Sequence, residues 1–207
     1  MINPYKSDGK ESYTLGAFTT LELLQAHPEI VRQIYLHSRF ADKAGVESLC
    51  RDLGIPVLEL ERNRPHLVLV NPGDRGNLGT IMRIAAGFRI RSLGIVLPAA
   101  DPFHPKTVRA SMGARFRIRC ELFPSFEHYR SKYSRHRLYP FLLHADQALT
   151  YETCPNERLF SLVFGNEAAG LEESYFSQLG VGLRIPQSDL VDSLNLSVAA
   201  GIAAYDA

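Results

Sequence analysis

From His66 onward, short apolar runs alternate with helix-length amphipathic segments, and this alternation constrains the fold more than any other feature of the sequence. The runs Leu67–Val70, Leu93–Leu97, Arg117–Leu122, Tyr139–Leu143, Leu159–Phe164 and Val181–Ile185 have the length and apolar character of buried strands. Between them, helical spacing is expected near Asn77–Gly87, Pro105–Gly113, Ser125–Ser134, Glu172–Gln178 and Ser193–Tyr205. Strands too apolar to face water, separated by helices, predict an α/β fold with a mostly parallel sheet and helices on both faces. The last helix, SLNLSVAAGIAAY, is rich in Ala and Gly, so one flank can approach another backbone closely, within the core or at a subunit interface.

Ahead of this pattern lie a polar tail (residues 1–11) and a smaller alternation. It comprises a helix over Phe18–Ala26, a strand-like Ile34–Leu36, a helix over Ala41–Leu53 stopped by Gly54, and a strand over Ile55–Leu60. The polar connector Glu61–Pro65 is a plausible boundary, giving residues 1–64 and 65–207 as two units. About fifty residues are marginal for an independent core. No run of 18 or more uncharged apolar residues is present, and the polar N-terminus lacks the apolar segment of a secretory signal. The three cysteines, Cys50, Cys120 and Cys154, are odd in number and far apart, which predicts buried, reduced thiols and a cytoplasmic location.

Net charge is only +1, but its distribution is uneven. Residues 83–137 carry 12 basic against 3 acidic side chains, and residues 139–192 carry 2 basic against 8 acidic. Most of the basic residues are Arg, which suits phosphate forks and base stacking, so a nucleic acid is the partner first suggested.

Four clusters carry the candidate chemistry. In the first, a strand (LVLV) runs into a Gly-, Pro- and Asn-rich loop and then a helix, NPGDRGNLGTIMRIAAGF. Asn77 stands where an N-cap is expected, and Arg83 projects away from the apolar stripe of that helix. The second is KTVRASMG (Lys106–Gly113), after a Pro-rich loop. The third is LVFGNEAAGL (Leu162–Leu171), a strand ending in a Gly-Asn-Glu turn; the fourth is IPQSDLVDSLNLS (Ile185–Ser197), strand, loop and helix start. No HExxH, paired CxxC, GxSxG or P-loop is present, and the first loop matches a dinucleotide fingerprint only loosely. No metal site is expected.

In this order and spacing, over residues 66–206, the clusters resemble the motifs of the SpoU/TrmH branch of the SPOUT RNA methyltransferases. NLGTIMRIAAGF is similar to the first motif of that family, with Asn77 and Arg83 on its marked positions. LVFGNEAAGL is similar to the second, with Gly165 and Glu167, and IPQSDLVDSLNLSVA to the third, with Ser193, Leu194 and Asn195. KTVRASMGA resembles the connecting segment. Two departures stand out, Arg89 where the family usually has Gly and Gln187 where it often has Met. Residues 13–60 resemble a shortened ribosomal-protein-like RNA-binding unit.

The resemblance implies a parallel α/β fold with a C-terminal trefoil knot and a homodimer formed through the knotted region. It implies S-adenosylmethionine as methyl donor and the ribose 2′-hydroxyl of a tRNA or rRNA as acceptor. Catalytic roles would fall to Arg83, Asn77, Glu167 and Asn195. The cofactor would lie against Leu143, Gly165, Ile185, Ser193 and Leu194. A non-catalytic RNA-binding or assembly factor on the same scaffold, and an RNA base methyltransferase, are the alternatives.

Overall fold

The computed structural model describes residues 17–32, 34, 42–55, 59–172, 176 and 180–207. The chain divides into two compact units, Met1–Glu59 and Leu60–Ala207. The first contains helices α1 (Ala17–Ala26) and α2 (Lys43–Asp52), with Leu24, Ile34, Val46, Cys50 and Ile55 forming its small core. Asp42 starts α2 by accepting from the Gly45 N–H at 3.1 Å. The tail, most of the strand-like Ile34–Leu36 and part of Ile55–Leu60 lie outside the described residues.

Five parallel strands make the main sheet of the second unit: β1 (His66–Val70), β2 (Ser92–Val96), β3 (Arg119–Phe123), β4 (Arg137–Pro140) and β6 (Phe160–Phe164). Their spatial order is β3-β2-β1-β6-β4, with β1 central. In register, Leu67 faces Leu93 on one side and Leu162 on the other, and Leu69 faces Ile95 and Phe164. Side chains alternate between the two faces along a strand, so Leu67 and Leu69 enter one core and Val68 another. That two-sided burial explains why β1 reads as an unbroken apolar run.

The first face is covered by α3 (Arg75–Gly87), through Leu78, Ile81, Met82 and Ala85, and by α6 (Leu196–Asp206), through Ala200, Ala203 and Ala204. The opposite face is covered by α5 (Phe126–Lys132) through Phe126 and Tyr129. The short helix α4 (Pro105–Ala110) packs on α3. The expected helix over Glu172–Gln178 falls mostly outside the described residues.

A second, two-stranded parallel sheet pairs β5 (Gln147–Ala148) with β7 (Leu183–Arg184). Strand β5 was not expected from the sequence, because two residues are too few to show a period. The Leu142 N–H donates to Leu183 O, and the Leu149 N–H to Arg184 O, both at distances of 2.9 and 2.8 Å respectively. These bonds lay the segment after β4 alongside β7.

Three corrections to the sequence expectations follow from local physics. Helix α3 begins at Arg75, not Asn77, because the Asp74 carboxylate accepts from the Asn77 N–H at 2.7 Å and serves as N-cap. Asn77 is thus inside the first turn. Helix α6 starts after Asn195, whose Oδ1 accepts from the Ser197 N–H at 2.9 Å, so Ser193 lies ahead of it. All three cysteines are free, but only Cys50 is buried; Cys120 and Cys154 are half-buried.

A buried polar chain crosses the second core. The carbonyl of Glu61 can only accept, so His66 Nε2, 2.9 Å away, carries the proton, and Nδ1 accepts from the Tyr129 hydroxyl at 2.9 Å. The Tyr129 oxygen lies 2.6 Å from Ser161 Oγ, which in turn lies 3.0 Å from His136 Nδ1. Burial, reinforced by His136 alongside, pushes the His66 pKa down to about 3.

Candidate active site

Strand order reverses between β1 and β6: successive connections run outward from β1 to β2 and β3, whereas β6 and β4 lie on the other side. A crevice at the carboxyl ends of the strands forms at such a switch point, and it is where open α/β sheets bind ligands. Two of the sequence clusters end there, the loop from Asn71 to Asp74 after β1 and the turn from Gly165 to Gly170 after β6.

Asn166 ties the two loops together. Its Oδ1 accepts from the Ala168 and Ala169 N–H groups at 2.9 and 3.0 Å, folding the turn on itself. Its Nδ2 donates to Asn71 O at 2.8 Å. Gly165 allows the turn to close, because a side chain there would collide with the carbonyl of Gly170. Gly170 has φ +67°, which glycine adopts without strain. Asn166 lies within the second motif, and an Asn followed by small residues is the sequence signature of such a tight turn.

This turn delivers the Glu167 carboxylate to the start of α3. It accepts from the Gly73 N–H at 2.9 Å, the Asp74 N–H at 3.1 Å and Asn77 Nδ2 at 3.2 Å. Burial raises the carboxyl pKa, but the hydrogen bonds from Gly73, Asn77 and Asp74 outweigh it, and the net shift is downward. On its other side, Asn77 Oδ1 accepts from Asn195 Nδ2 at 3.1 Å. Asn195 can do this because only its oxygen is used in capping α6. Glu167, Asn77 and Asn195 therefore form one hydrogen-bonded chain across the mouth of the crevice.

Arg83 does not join that chain. Among the described residues it makes no hydrogen bond to Asn77, Glu167 or Asn195, and its side chain is exposed two turns further along α3. Helix α3 presents three faces. Leu78, Ile81, Met82 and Ala85 are buried against the sheet; Thr80, Ile84 and Phe88 face α6; Gly76, Gly79 and Arg83 form a stripe toward α4. Gly79 lets the helices meet, since a Cβ there would collide with Thr107 O and stand 2.6 Å from Ala110 Cβ.

The expected cofactor residues sit at neighbouring strand ends. Gly165 follows β6 and is buried, Ile185 follows β7 and is half-buried, and Leu143 lies just past β4 with 58% of its surface exposed. Phe141 bridges to Leu183, which draws the β4 and β7 ends together. Ser193 is exposed and Leu194 half-buried immediately before the α6 cap. Leu190 and Val191 add exposed apolar surface, at 88% and 49%. Backbone polar groups at neighbouring strand ends, with apolar side chains beside them, suit a ligand that has both polar and apolar parts. Among the described residues no group of three His, Cys, Asp or Glu side chains could hold a metal ion. Nor is any helix there long and apolar enough to cross a membrane.

The family model for the SpoU rRNA Methylase family matches residues 64–205. The chain belongs to this family. Among curated SpoU relatives, the 23S rRNA (guanosine(2553)-2'-O)-methyltransferase RlmP of Bacillus subtilis is 30% identical over 154 residues, covering 73% of this chain and 60% of that protein. An uncharacterized tRNA/rRNA methyltransferase of Synechocystis is 29% identical and is covered over 52% of its length. The chain thus spans little more than half of these relatives. A crystal structure of an AdoMet-bound rRNA methyltransferase from Sinorhizobium meliloti matches with 31% identity and a TM-score of 0.63, over 72% of this chain and 57% of that one. A structure concerned with 2-OH methylation of C/U34 on tRNA matches with 30% identity and a TM-score of 0.62, over 70% of this chain and 95% of that one. The mostly parallel sheet with helices on both faces is the fold shared with these structures.

Proposed function

We propose that this SpoU family member transfers a methyl group from S-adenosylmethionine to a ribose 2′-hydroxyl of tRNA or rRNA, acting in the cytoplasm. The observation that carries the reading is the chain Glu167–Asn77–Asn195. It joins the three motif segments at the switch point of the sheet, at distances of 3.2 and 3.1 Å. The names of RlmP and of the C/U34 structure support a ribose acceptor.

The residues at the ends of β4, β6 and β7 fit the methyl donor. Backbone groups near Leu143, Gly165, Ile185, Ser193 and Leu194 would hold its polar parts, and the apolar side chains beside them its sulfur and adenine. Bound there, S-adenosylmethionine supplies a methyl group on a positively charged sulfur, so the acceptor needs placement rather than strong activation. As the oxygen–methyl bond formed, the sulfur–methyl bond would break to leave a neutral thioether, and the hydroxyl proton would pass to solvent water. Arg83 keeps its proton at ordinary pH and acts by holding the 2′-oxygen or the adjacent phosphate, stabilising negative charge as it develops. Asn77, fixed between Glu167 and Asn195, orients the ribose.

Two structural proposals accompany this. Thr80, Ile84, Phe88, Val198, Ile202 and Tyr205 line an open apolar groove between α3 and α6, supporting a homodimer formed through this region. The pairing of β5 with β7 beyond β4, followed by the return of α6 onto α3, supports a trefoil knot in the 65–207 unit. For residues 1–64 we propose an RNA-binding role.

Calorimetric titration with S-adenosylmethionine, followed by transfer of labelled methyl to RNA and nucleoside mapping, tests the reading. Arg83→Ala should abolish transfer and leave cofactor affinity within about twofold. Cofactor binding without transfer to any RNA would instead identify a non-catalytic binding factor, and label on a base would identify a base methyltransferase.

A further inference from the structure

The basic excess between residues 83 and 137 is divided by the sheet. Arg130 and Arg135 are exposed on and just after α5, on one face, whereas Lys106, Arg109 and Arg83 are exposed on α4 and α3, on the other. Within the second group, Lys106 reaches the candidate active site through Asp74.

On α4, Thr107, Ala110 and Ser111 meet Gly79, so they define the side turned to α3. Lys106 lies on the adjoining flank, and Arg109, three residues on, is beside it on the solvent side of α4. The position of Lys106 is marked directly: its Nζ lies 3.8 Å from Asp74 Oδ2, and its Cε is 3.9 Å from the Cβ position of Gly76. Asp74 is the cap of α3, and its own N–H is bound by Glu167. Lys106 therefore stands at the rim of the Glu167–Asn77–Asn195 chain. The contacts advance together along both helices, Gly76 with Lys106 and then Gly79 with Thr107, Ala110 and Ser111. Arg109 lies about one turn beyond Lys106 along α4, on the side that faces solvent rather than α3.

We infer that Lys106 and Arg109 form a phosphate-holding ridge that seats the RNA strand flanking the target nucleotide, positioning its ribose at Arg83. The inference rests on the methyltransferase reading above and deepens it. Both side chains are solvent-facing, with Lys106 63% exposed, so each can reach a phosphate oxygen without burying its charge. The weak pairing of Lys106 with Asp74, itself 48% exposed, is readily given up to a phosphate. Cations spaced by a helical turn beside a ribose pocket match the repeat of a single-stranded or loop backbone; they supply affinity and register, not base identity.

The test is binding of a tRNA and rRNA fragment panel by fluorescence anisotropy across about 50 to 200 mM salt, on three versions of the whole chain. These are wild type, K106Q/R109Q and, on the far face, R130Q/R135Q. We expect K106Q/R109Q to weaken RNA binding roughly tenfold and to lower the salt slope by about 1.4, at about 0.7 per phosphate contact. Its affinity for S-adenosylmethionine should match wild type, which also checks folding. R130Q/R135Q should bind RNA as wild type does. Unchanged RNA affinity and slope in K106Q/R109Q, or equal losses in both double variants, would overturn the ridge. In those cases methyl transfer by wild type leaves the functional reading standing. A wild type that binds S-adenosylmethionine but no RNA overturns both.

Discussion

Glu167→Gln is the sharpest probe of the site, because it changes one atom and the charge but not the shape. The carboxylate accepts at both oxygens: Oε1 from the Asp74 N–H and Asn77 Nδ2, Oε2 from the Gly73 N–H and, at a long 3.5 Å, from Asn166 Nδ2. Glutamine keeps one accepting oxygen. If that oxygen replaces Oε1, the amide nitrogen faces the Gly73 N–H, donor against donor; the reverse placement loses two bonds. One hydrogen bond to a charged group contributes about 1.5–3 kcal/mol when well buried. Glu167 is mostly exposed, so screening reduces the loss to about 1–1.5 kcal/mol, equivalent to roughly 2–6 °C in Tm for a chain of this size. The larger effect should be on transfer, because Asn77 loses its fixed orientation and a small misplacement of the ribose costs about 10–100-fold in rate. The Glu167 pKa is lowered on folding from its ordinary 4.5. Its contribution is therefore present above pH 4.5 and is lost as pH falls through the folded value. Thermal melts of wild type and E167Q at pH 7 and at steps below pH 4.5 should converge on acidification. The reasoning fails if E167Q melts and transfers methyl as wild type does, or if the gap in Tm persists once the carboxyl is protonated.

Three further outcomes follow from the same structure. Gly79→Ala should destabilise the second unit by about 1–3 kcal/mol, since its methyl meets Thr107 O and Ala110 Cβ with no space to move; urea unfolding measures it, and an unchanged midpoint would contradict the close helix contact. Because His66 is held neutral with a pKa near 3, the unfolded chain binds the extra proton between its ordinary 6.5 and that value. Stability should thus fall with pH below 6.5 by up to about 1.4 kcal/mol per pH unit, and His136, also shifted down by burial, adds in the same direction; a flat unfolding free energy from pH 6.5 to 5, above the carboxylate range, would argue against neutral burial. If the proposed homodimer forms through the α3–α6 groove, Ile202→Asp should shift light-scattering mass from dimer to monomer with the monomer still folded; a wild type that is monomeric, or a variant that stays dimeric, would contradict that interface.

Much of the fold is legible along the chain because its signals are local. Leu67–Val70 reads as a doubly buried strand, and the spacing of Leu78, Ile81, Met82 and Ala85 as the buried stripe of a helix. Where signals compete at short range, sequence resolves them poorly. Asp74 and Asn77 are both good cap residues three positions apart, and only the backbone path out of β1 decides for Asp74. Strand β5 exists only because the end of β7 is there to pair with it.

The same division holds for the site. Sequence by itself determined the residue types, the motif order and the SpoU family membership, because these need only spacing within each segment. The tertiary structure decided which of those residues meet: Glu167 reaches Asn77 across 90 positions and Asn195 reaches it across 118, while Arg83, six residues from Asn77, stands apart from both. A helix turns 100° per residue, so near neighbours in the chain can face different ways. Only the switch in strand order between β1 and β6, with α6 returning onto α3, places three distant segments within hydrogen-bond reach.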